Sequence, residues 1–299
     1  MRKILLLLIA VNLLVGCSSK SIADLNSDIN NKKSPVPKIE DIRLPITKDE
    51  IVYDNGVIKV DYSNSGLGYI QVKSLNEEHK KIKVRIQKDD EIYTYDLNRE
   101  LEYETFNLNM GNGVYIISVF ENVENDSYVT LFEFEFEVIL DNEKLPFLFP
   151  SQISNYDQDT LAIKKAYELI AGLETELERV QVIYDYVIKN IDYDYDKKEA
   201  VIGQYVLPIL DETFLSNKGI CFDYASITIA MLRSVNIPAK LVTGYVEEGY
   251  HAWIEVYIDN LGWIAPHIYF ENNTWKLIDP TLDAIGDDYE GSYEVKYKY

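Results

Sequence analysis

Lys218-Gly219-Ile220-Cys221-Phe222-Asp223-Tyr224-Ala225, Tyr250-His251-Ala252-Trp253 and Trp275-Lys276-Leu277-Ile278-Asp279-Pro280-Thr281 follow one another in the last third of the chain. Phe222 to Val235 reads as a helix that is apolar on most sides, through Ala225, Ile227, Ile229, Ala230, Met231 and Leu232. A helix apolar nearly all round is a buried one, so it is expected at the centre of its domain. Cys221 then stands at its start, where unpaired backbone N–H groups and the positive dipole end favour a thiolate. The same N–H groups can stabilise an oxyanion once a carbonyl is attacked. Asp223 complements that dipole.

Asn236-Ile237-Pro238 ends the helix, and Ala239 to Tyr245 opens a sheet. After the Glu247-Glu248-Gly249 turn, Tyr250 to Tyr257 alternates: Ala252, Ile254 and Val256 on one face, His251, Trp253, Glu255 and Tyr257 on the other. The Asp259-Asn260-Leu261-Gly262 turn leads to a strand from Trp263, and Glu271 to Thr274 turns back into Trp275 to Ile278. Asp279 precedes Pro280 and is therefore held extended. An antiparallel neighbour would set its carboxylate beside His251, fixing the imidazole tautomer and stabilising the cation. Trp253 and Trp263 read as sheet packing. His267, next to Pro266, reads as a rim residue of the hairpin between them.

Outward from this stretch, residues 39–145 read as an all-β sandwich. Val57 to Tyr62, Tyr69 to Lys73, Ile82 to Ile86, Ile92 to Tyr95 and Leu131 to Val138 are β-branched or aromatic, mostly in alternation, with turn signals at Asn64-Ser65-Gly66 and Gly111-Asn112-Gly113. His79, in Asn-Glu-Glu-His-Lys-Lys, reads as a solvated turn. Pro146 to Pro150 marks a boundary, and residues 150–299 form a second domain. Helical spacing covers Asp159 to Ala171 and Thr175 to Asn190, the second opening with Thr175 and Glu178 in a capping-box arrangement. Asp192-Tyr193-Asp194-Tyr195-Asp196 reads as a solvated acidic loop, without the glycine and terminal glutamate of a calcium loop. Gln204 to Leu210 begins a short helix or turn that Pro208 limits.

The chain opens with basic Arg2 and Lys3, an apolar run from Ile4 to Val15, and Leu14-Val15-Gly16-Cys17. That run is short for a membrane span and suits a signal-peptide core. Leu-Val-Gly-Cys resembles the lipobox of bacterial lipoproteins. The resemblance implies a signal peptide at 1–16, lipid on Cys17, and attachment to the cell membrane on its extracytoplasmic side. Residues 17–38, rich in Ser, Asn, Asp and Lys with Pro35 and Pro37, read as a tether. With Cys17 lipidated, Cys221 has no cysteine left to pair with.

Charge narrows the partners. Of 299 residues, 50 are Asp or Glu and 29 are Lys or Arg, a net of -21. Loss of Arg2 and Lys3 with the signal leaves 27 basic against 50 acidic side chains, a net of -23. A field of that sign repels phosphate backbones, so nucleic-acid binding is not expected. One usable thiol and three scattered histidines do not make metal-ligand spacing, and no cofactor is expected.

Gly-Ile-Cys-Phe-Asp-Tyr-Ala, Asn-Ile-Pro-Ala-Lys, Tyr-His-Ala-Trp-Ile-Glu-Val and Leu-Ile-Asp-Pro-Thr, in that order from about Thr175 to Ala284, resemble the transglutaminase-like superfamily. The resemblance implies an α+β chain: a papain-like catalytic domain with a central helix packed on an antiparallel sheet, here preceded by the immunoglobulin-like sandwich. It also implies Cys221 as nucleophile, His251 as base and later acid, and Asp279 as orienting group. Two departures stand out. The family's path from Gly-Trp into Asp-Pro is lengthened here by His267 to Thr274, and no residue announces itself as the side-chain oxyanion donor upstream of the cysteine. Gln204 and Tyr195 are the candidates for that donor.

The expectation is an exported, lipid-anchored cysteine enzyme that forms an acyl-enzyme with a peptide or glutamine amide of a protein or peptide substrate, with the cell envelope as one candidate source. Hydrolysis is favoured over transamidation, as the resemblance to bacterial members implies. The rival is a non-catalytic surface binding protein on the same scaffold. An oxidisable thiol kept outside the cytoplasm speaks for the enzyme.

Overall fold

The structure, a computed structural model, describes residues 33–299 apart from 77–79, 99, 248, 260–261, 265–268, 272–273 and 277–292. The first body is built by alternation. Strands β1 (Val52–Asp54), β2 (Ile58–Asp61), β3 (Tyr69–Ser74) and β6 (Glu104–Asn107) form one antiparallel sheet in the order β1-β2-β3-β6. Strands β4 (Ile82–Lys88), β5 (Glu91–Leu97), β7 (Gly113–Glu124) and β8 (Ser127–Val138) form the other, β5-β4-β7-β8. Ile58, Val60, Ile70 and Val72 of the first share one buried core with Val84, Ile86, Ile117 and Val119 of the second. On β8 the period of two is plain: Glu133, Glu135 and Glu137 face water, and Phe134 and Phe136 turn inward onto Tyr53 and Tyr62. The sequence reading missed β1, β6 and β7, and the Tyr115 to Val119 run of β7 is buried almost continuously rather than alternating.

Among the described residues, the second body packs five helices with a four-stranded antiparallel sheet. The helices are α1 (Leu161–Leu169), α2 (Glu176–Asn190), α3 (Tyr195–Ala200), α4 (Leu210–Ser216) and α5 (Cys221–Ser234). Thr175 caps α2: its Oγ1 accepts from Glu178 N at 3.2 Å, and the Glu178 carboxylate accepts from Thr175 N at 2.9 Å. The expected acidic loop is instead two-residue strand β9 (Asp192–Tyr193) followed by α3. Asp194 turns one into the other by accepting from Lys197 N at 2.8 Å. β9 pairs in parallel with β10 (Lys218–Gly219). Helix α4 starts at Leu210, two residues past Pro208, and the stretch from Gln204 to Ile209, expected to begin a short helix or turn, is irregular.

The main sheet runs β13-β12-β11-β16, with β11 (Ala239–Val246), β12 (Gly249–Ile258), β13 (Gly262–Ile264) and β16 (Glu294–Lys298). A separate hairpin, β14 (Tyr269–Glu271) with β15 (Thr274–Lys276), lies in the lengthened stretch. Ala252, Ile254 and Val256 of β12 join Leu241 of β11 and the residues of α5 in one core. Gly244 lets β16 pass: a Cβ there would run into the backbone of Glu294.

Two pieces of chain join the bodies. Ser34 and Pro35 give their carbonyls to the buried Arg179 of α2 at 2.7 and 3.0 Å, so residues 33–38, at the end of the expected tether, lie against the second body. The strand-free segment that follows packs Ile42 into the second core and then donates Ile46 N to Tyr69 Oη of the sandwich at 3.0 Å. At the other end Tyr299 packs its ring on Tyr93 of β5 at 5.3 Å and shares a two-bond ladder with Leu241. Arg233, fully buried, donates to Ala239 O, Phe149 O and Tyr299 O at 2.8, 3.0 and 2.9 Å. Burial pushes its guanidinium down to about 10.

Candidate active site around Cys221

The parallel β9/β10 pair sets Tyr193 beside Gly219, and Asp194 N donates to Gly219 O at 2.9 Å. Ile220 is extended, and α5 starts at the next residue. Asp223 secures that start. Buried almost completely, its Oδ2 accepts from Ile220 N at 2.9 Å, and its carboxylate is paired with Lys197 Nζ at 2.8 Å. Beyond it every residue of α5 from Asp223 to Ser234 is buried. The polar ones are satisfied: Ser226 Oγ donates to Ile153 O at 2.7 Å and Thr228 Oγ1 to Tyr224 O at 2.7 Å. The result is a rigid, apolar rod with Cys221 on its first turn, half-buried and unpaired. That is the end at which helix N–H groups lack carbonyl partners.

Strand β12 lies on the flank of this rod. Its core face carries Ala252, Ile254 and Val256, and Tyr250 continues that face toward the helix start. His251 is buried on the other face, its ring 6.3 Å from Trp253 with the two planes 18° apart. Glu255, also on that face, is buried between Lys240 at 3.5 Å and Lys298 at 2.7 Å. Lys240 in turn stands 3.6 Å from the Trp263 ring centre, and burial pulls its ammonium down against the raising pull of Glu255. This cluster stiffens the sheet under His251.

Electrostatics places two tyrosines at the thiol. Burial, then the negative charge available on Cys221 and on Tyr195, pushes the Tyr193 hydroxyl up to about 12. The Tyr250 hydroxyl is also raised, by burial first, against a hydrogen bond to Thr243 Oγ1 and with further contributions from Tyr297, Tyr245 and Cys221. The Cys221 thiol is thus within electrostatic range of one tyrosine from β9 and one from β12.

Of the residues singled out in sequence, Cys221 stands at the helix start and His251 on the strand packed against that helix. Asp279, His267, His79 and the lipidation residue Cys17 lie outside the described residues. Tyr195 points to solvent at the start of α3, its ring 4.9 Å from Tyr193. Gln204 is exposed and spends its amide on Ala200 O at 2.9 Å. Tyr193, which the sequence reading passed over as part of an acidic loop, is set beside Gly219, two residues before the thiol, by the β9/β10 pairing. Its signal was the β9 alternation after Ile191, too short to read as a strand. Among the described residues no three His, Cys, Asp or Glu side chains gather in a metal-binding group, and no helix is long and apolar enough to cross a membrane.

Residues 163–280 match the model of the transglutaminase-like superfamily. The chain is 27% identical over 149 residues to the uncharacterized protein YebA of Bacillus subtilis, covering 43% of this chain and 20% of that one. It is 35% identical over 94 residues to the UPF0252 protein MJ1282 of Methanocaldococcus jannaschii, covering 27% of this chain and 26% of that one. It thus spans about a fifth to a quarter of the length of these relatives. Among solved structures, it is similar to a candidate cysteine protease from Cytophaga hutchinsonii, with 18% identity, a TM-score of 0.36, and 83% and 91% of the two chains covered. It is also similar to red sea bream transglutaminase, with 13% identity, a TM-score of 0.29, and 71% and 48% covered.

Proposed function

With residues 163–280 a domain of the transglutaminase-like superfamily, we propose that the chain is a cysteine acyltransferase or hydrolase in which Cys221 attacks an amide carbonyl. The observation that carries this reading is Cys221 on the first turn of a helix that is buried from Asp223 to Ser234 and packs on the strand of His251. The thiolate sulfur bonds to the carbonyl carbon, and the carbonyl electrons move to oxygen. The α5 N–H groups and the Tyr193 hydroxyl donate to that oxyanion. As the C–N bond breaks, the amine leaves with a proton from the His251 imidazolium, and a thioester remains on Cys221. His251 then takes a proton from water, the hydroxide adds to the thioester, and a carboxylic acid is released as the thiol is regenerated. Asp279, carried over from the family motif, orients His251 in this scheme.

Hydrolysis is the favoured second half, and a lysine amine in place of water would make the protein a transglutaminase. The sequence of residues 1–17 supports an exported chain held to the cell membrane through lipid on Cys17, and the strand order of the sandwich is read as immunoglobulin-like. One experiment separates the readings. The full chain and its Cys221→Ala and His251→Ala variants are incubated with unfolded casein, with and without a labelled primary amine. Casein cleavage that both variants lose supports the hydrolase, and amine incorporation that both lose supports the transferase. Neither activity in the wild type leaves the non-catalytic binding protein and ends the enzyme reading.

A further inference from the structure

Tyr193 lies beside Gly219, two residues before Cys221, and Tyr250 alternates with Ala252 on the face of β12 that packs on α5; each belongs to a pair of tyrosine rings. Tyr193 and Tyr195, from β9 and the start of α3, stand 4.9 Å apart and edge to face. Tyr245 and Tyr250, partners across the β11/β12 hairpin, stand 5.3 Å apart in the same manner. Tyr193 packs on the core, and the other three rings are exposed. Tyr195 is 64% exposed, Tyr250 56% and Tyr245 46%. Grouped exposed rings mark a binding surface, where single ones do not.

The charges around them have a sign. Asp192 and Asp196 flank the first pair in sequence and face solvent, as does Glu199 one turn on. Of the cations on that wall, Lys197 is committed to Asp223, and Lys198 and Lys218, the register partner of Asp192 on β10, are exposed. On the second wall Glu294 pairs in register with Tyr245, and Lys296, joined to Glu294 at 2.6 Å, holds its ammonium 5.7 Å from the Tyr245 ring centre. The cleft thus already seats one ammonium on a tyrosine face with a carboxylate behind it. Aromatic faces backed by carboxylates favour ammonium and guanidinium groups, and the same faces accept flat peptide planes.

We propose that these two tyrosine pairs, with Asp192 and Asp196, form a substrate cleft that selects an extended peptide carrying a lysine or arginine beside the reacting amide. The inference rests on the acyl-transfer reading for which bond is presented to Cys221, and not for the binding itself.

The test therefore measures binding on the full chain carrying Cys221→Ala. The probes are two fluorescent nonapeptides, each with one central glutamine, flanked by two lysines in one and two glutamates in the other. The lysine peptide is expected to bind at least about tenfold tighter at low salt, with the gap closing as ionic strength rises. Tyr195→Ala should weaken it about fivefold and Tyr195→Phe hardly at all, since the ring face and not the hydroxyl is used. Asp192→Asn with Asp196→Asn should remove the charge preference at unchanged melting temperature. Equal affinities for the two peptides, binding of neither, or indifference to Tyr195→Ala would overturn the proposal. Selective binding by a chain whose wild type turns nothing over would remove the acyl-transfer reading and leave the cleft. Turnover without charge preference would do the reverse.

Discussion

A Cβ placed on Gly219 would lie 2.7 Å from the Cβ of Asp223 and 3.3 Å from its Oδ2, so the residue two before the thiol has no side chain because the one two after it needs the space. Asp223 cannot yield, since its carboxylate holds Ile220 N and Lys197 Nζ while almost fully buried. Gly219→Ala is expected to destabilise the chain by about 1–3 kcal/mol, as overpacking does. It should also slow alkylation of Cys221 by shifting the first turn of α5. Urea denaturation and an iodoacetamide time course check the two halves, and an unchanged alkylation rate would detach Asp223 from the positioning of the thiol.

Tyr193→Phe keeps the ring and removes the hydroxyl. If that hydroxyl donates to the developing oxyanion, kcat should fall on the order of a hundredfold with KM nearly constant, because the bond is made in the transition state only. Tyr195→Phe, whose residue faces solvent, should leave kcat within about twofold. Equal losses in the two variants would disprove the assignment.

Arg233 serves three carbonyls from three parts of the chain, Phe149 between the bodies, Ala239 on β11 and the terminal Tyr299. Arg233→Met strips all three of their charged donor and should cost about 3 kcal/mol or more. Its signature is a lower urea midpoint for the whole chain. A loss under about 1 kcal/mol would mean the carbonyls find other partners.

Acid stability should carry two opposed contributions. Burial raises the Asp61 carboxyl, but hydrogen bonds from Ser63, Asp49 N and Lys48 N outweigh it and the folded value falls below the ordinary one. Its stabilisation is therefore complete above the unfolded value of about 3.9 and is lost as pH falls through the folded value. Glu104 is the opposite case: burial raises it despite donors from Asn98 N and Gln152 Nε2. Its charged form is a cost that is relieved as pH falls through the raised folded value toward about 4.3. Asp61→Asn should lower stability at pH 7 and flatten the acid limb, and Glu104→Gln should remove the gain on descending from pH 7. Chemical denaturation at a series of pH values reads both.

Much of this was legible where the local signal is also the final one. The all-round apolar pattern of Phe222 to Val235 could only be a buried helix, and the structure moves its start by one residue, onto Cys221 itself. The capping box at Thr175 and Glu178 fixed the start of α2. The alternation of Tyr250 to Tyr257 named the core face of β12 correctly. What sequence could not carry was anything dependent on distant partners. Two residues of β9 become a strand only because β10 lies alongside, so Tyr193 was hidden inside an acidic run. Tyr297 and Tyr299 show no motif, because their partners Tyr93 and Tyr95 lie some two hundred positions away. Arg233 carries no signal in the sequence beyond being a basic residue near the end of an apolar run, and only the fold brings three carbonyls to it.

The clip that Arg179 makes on Ser34 and Pro35 decides how the molecule bears load. A pull on the chain ahead of Lys33 does not reach the sandwich first, although the sandwich comes first in sequence. It is taken up by two guanidinium bonds at the N-terminal end of α2, 3.0 Å or shorter. Tension is then delivered along the axis of that helix, whose far end, Asn190, leads through Ile191 into β9 and the wall of Tyr193. Were the chain held by the segment ahead of Lys33, as the proposed lipid anchor would hold it, drag would arrive at Tyr193 through α2 before it arrived at the sandwich.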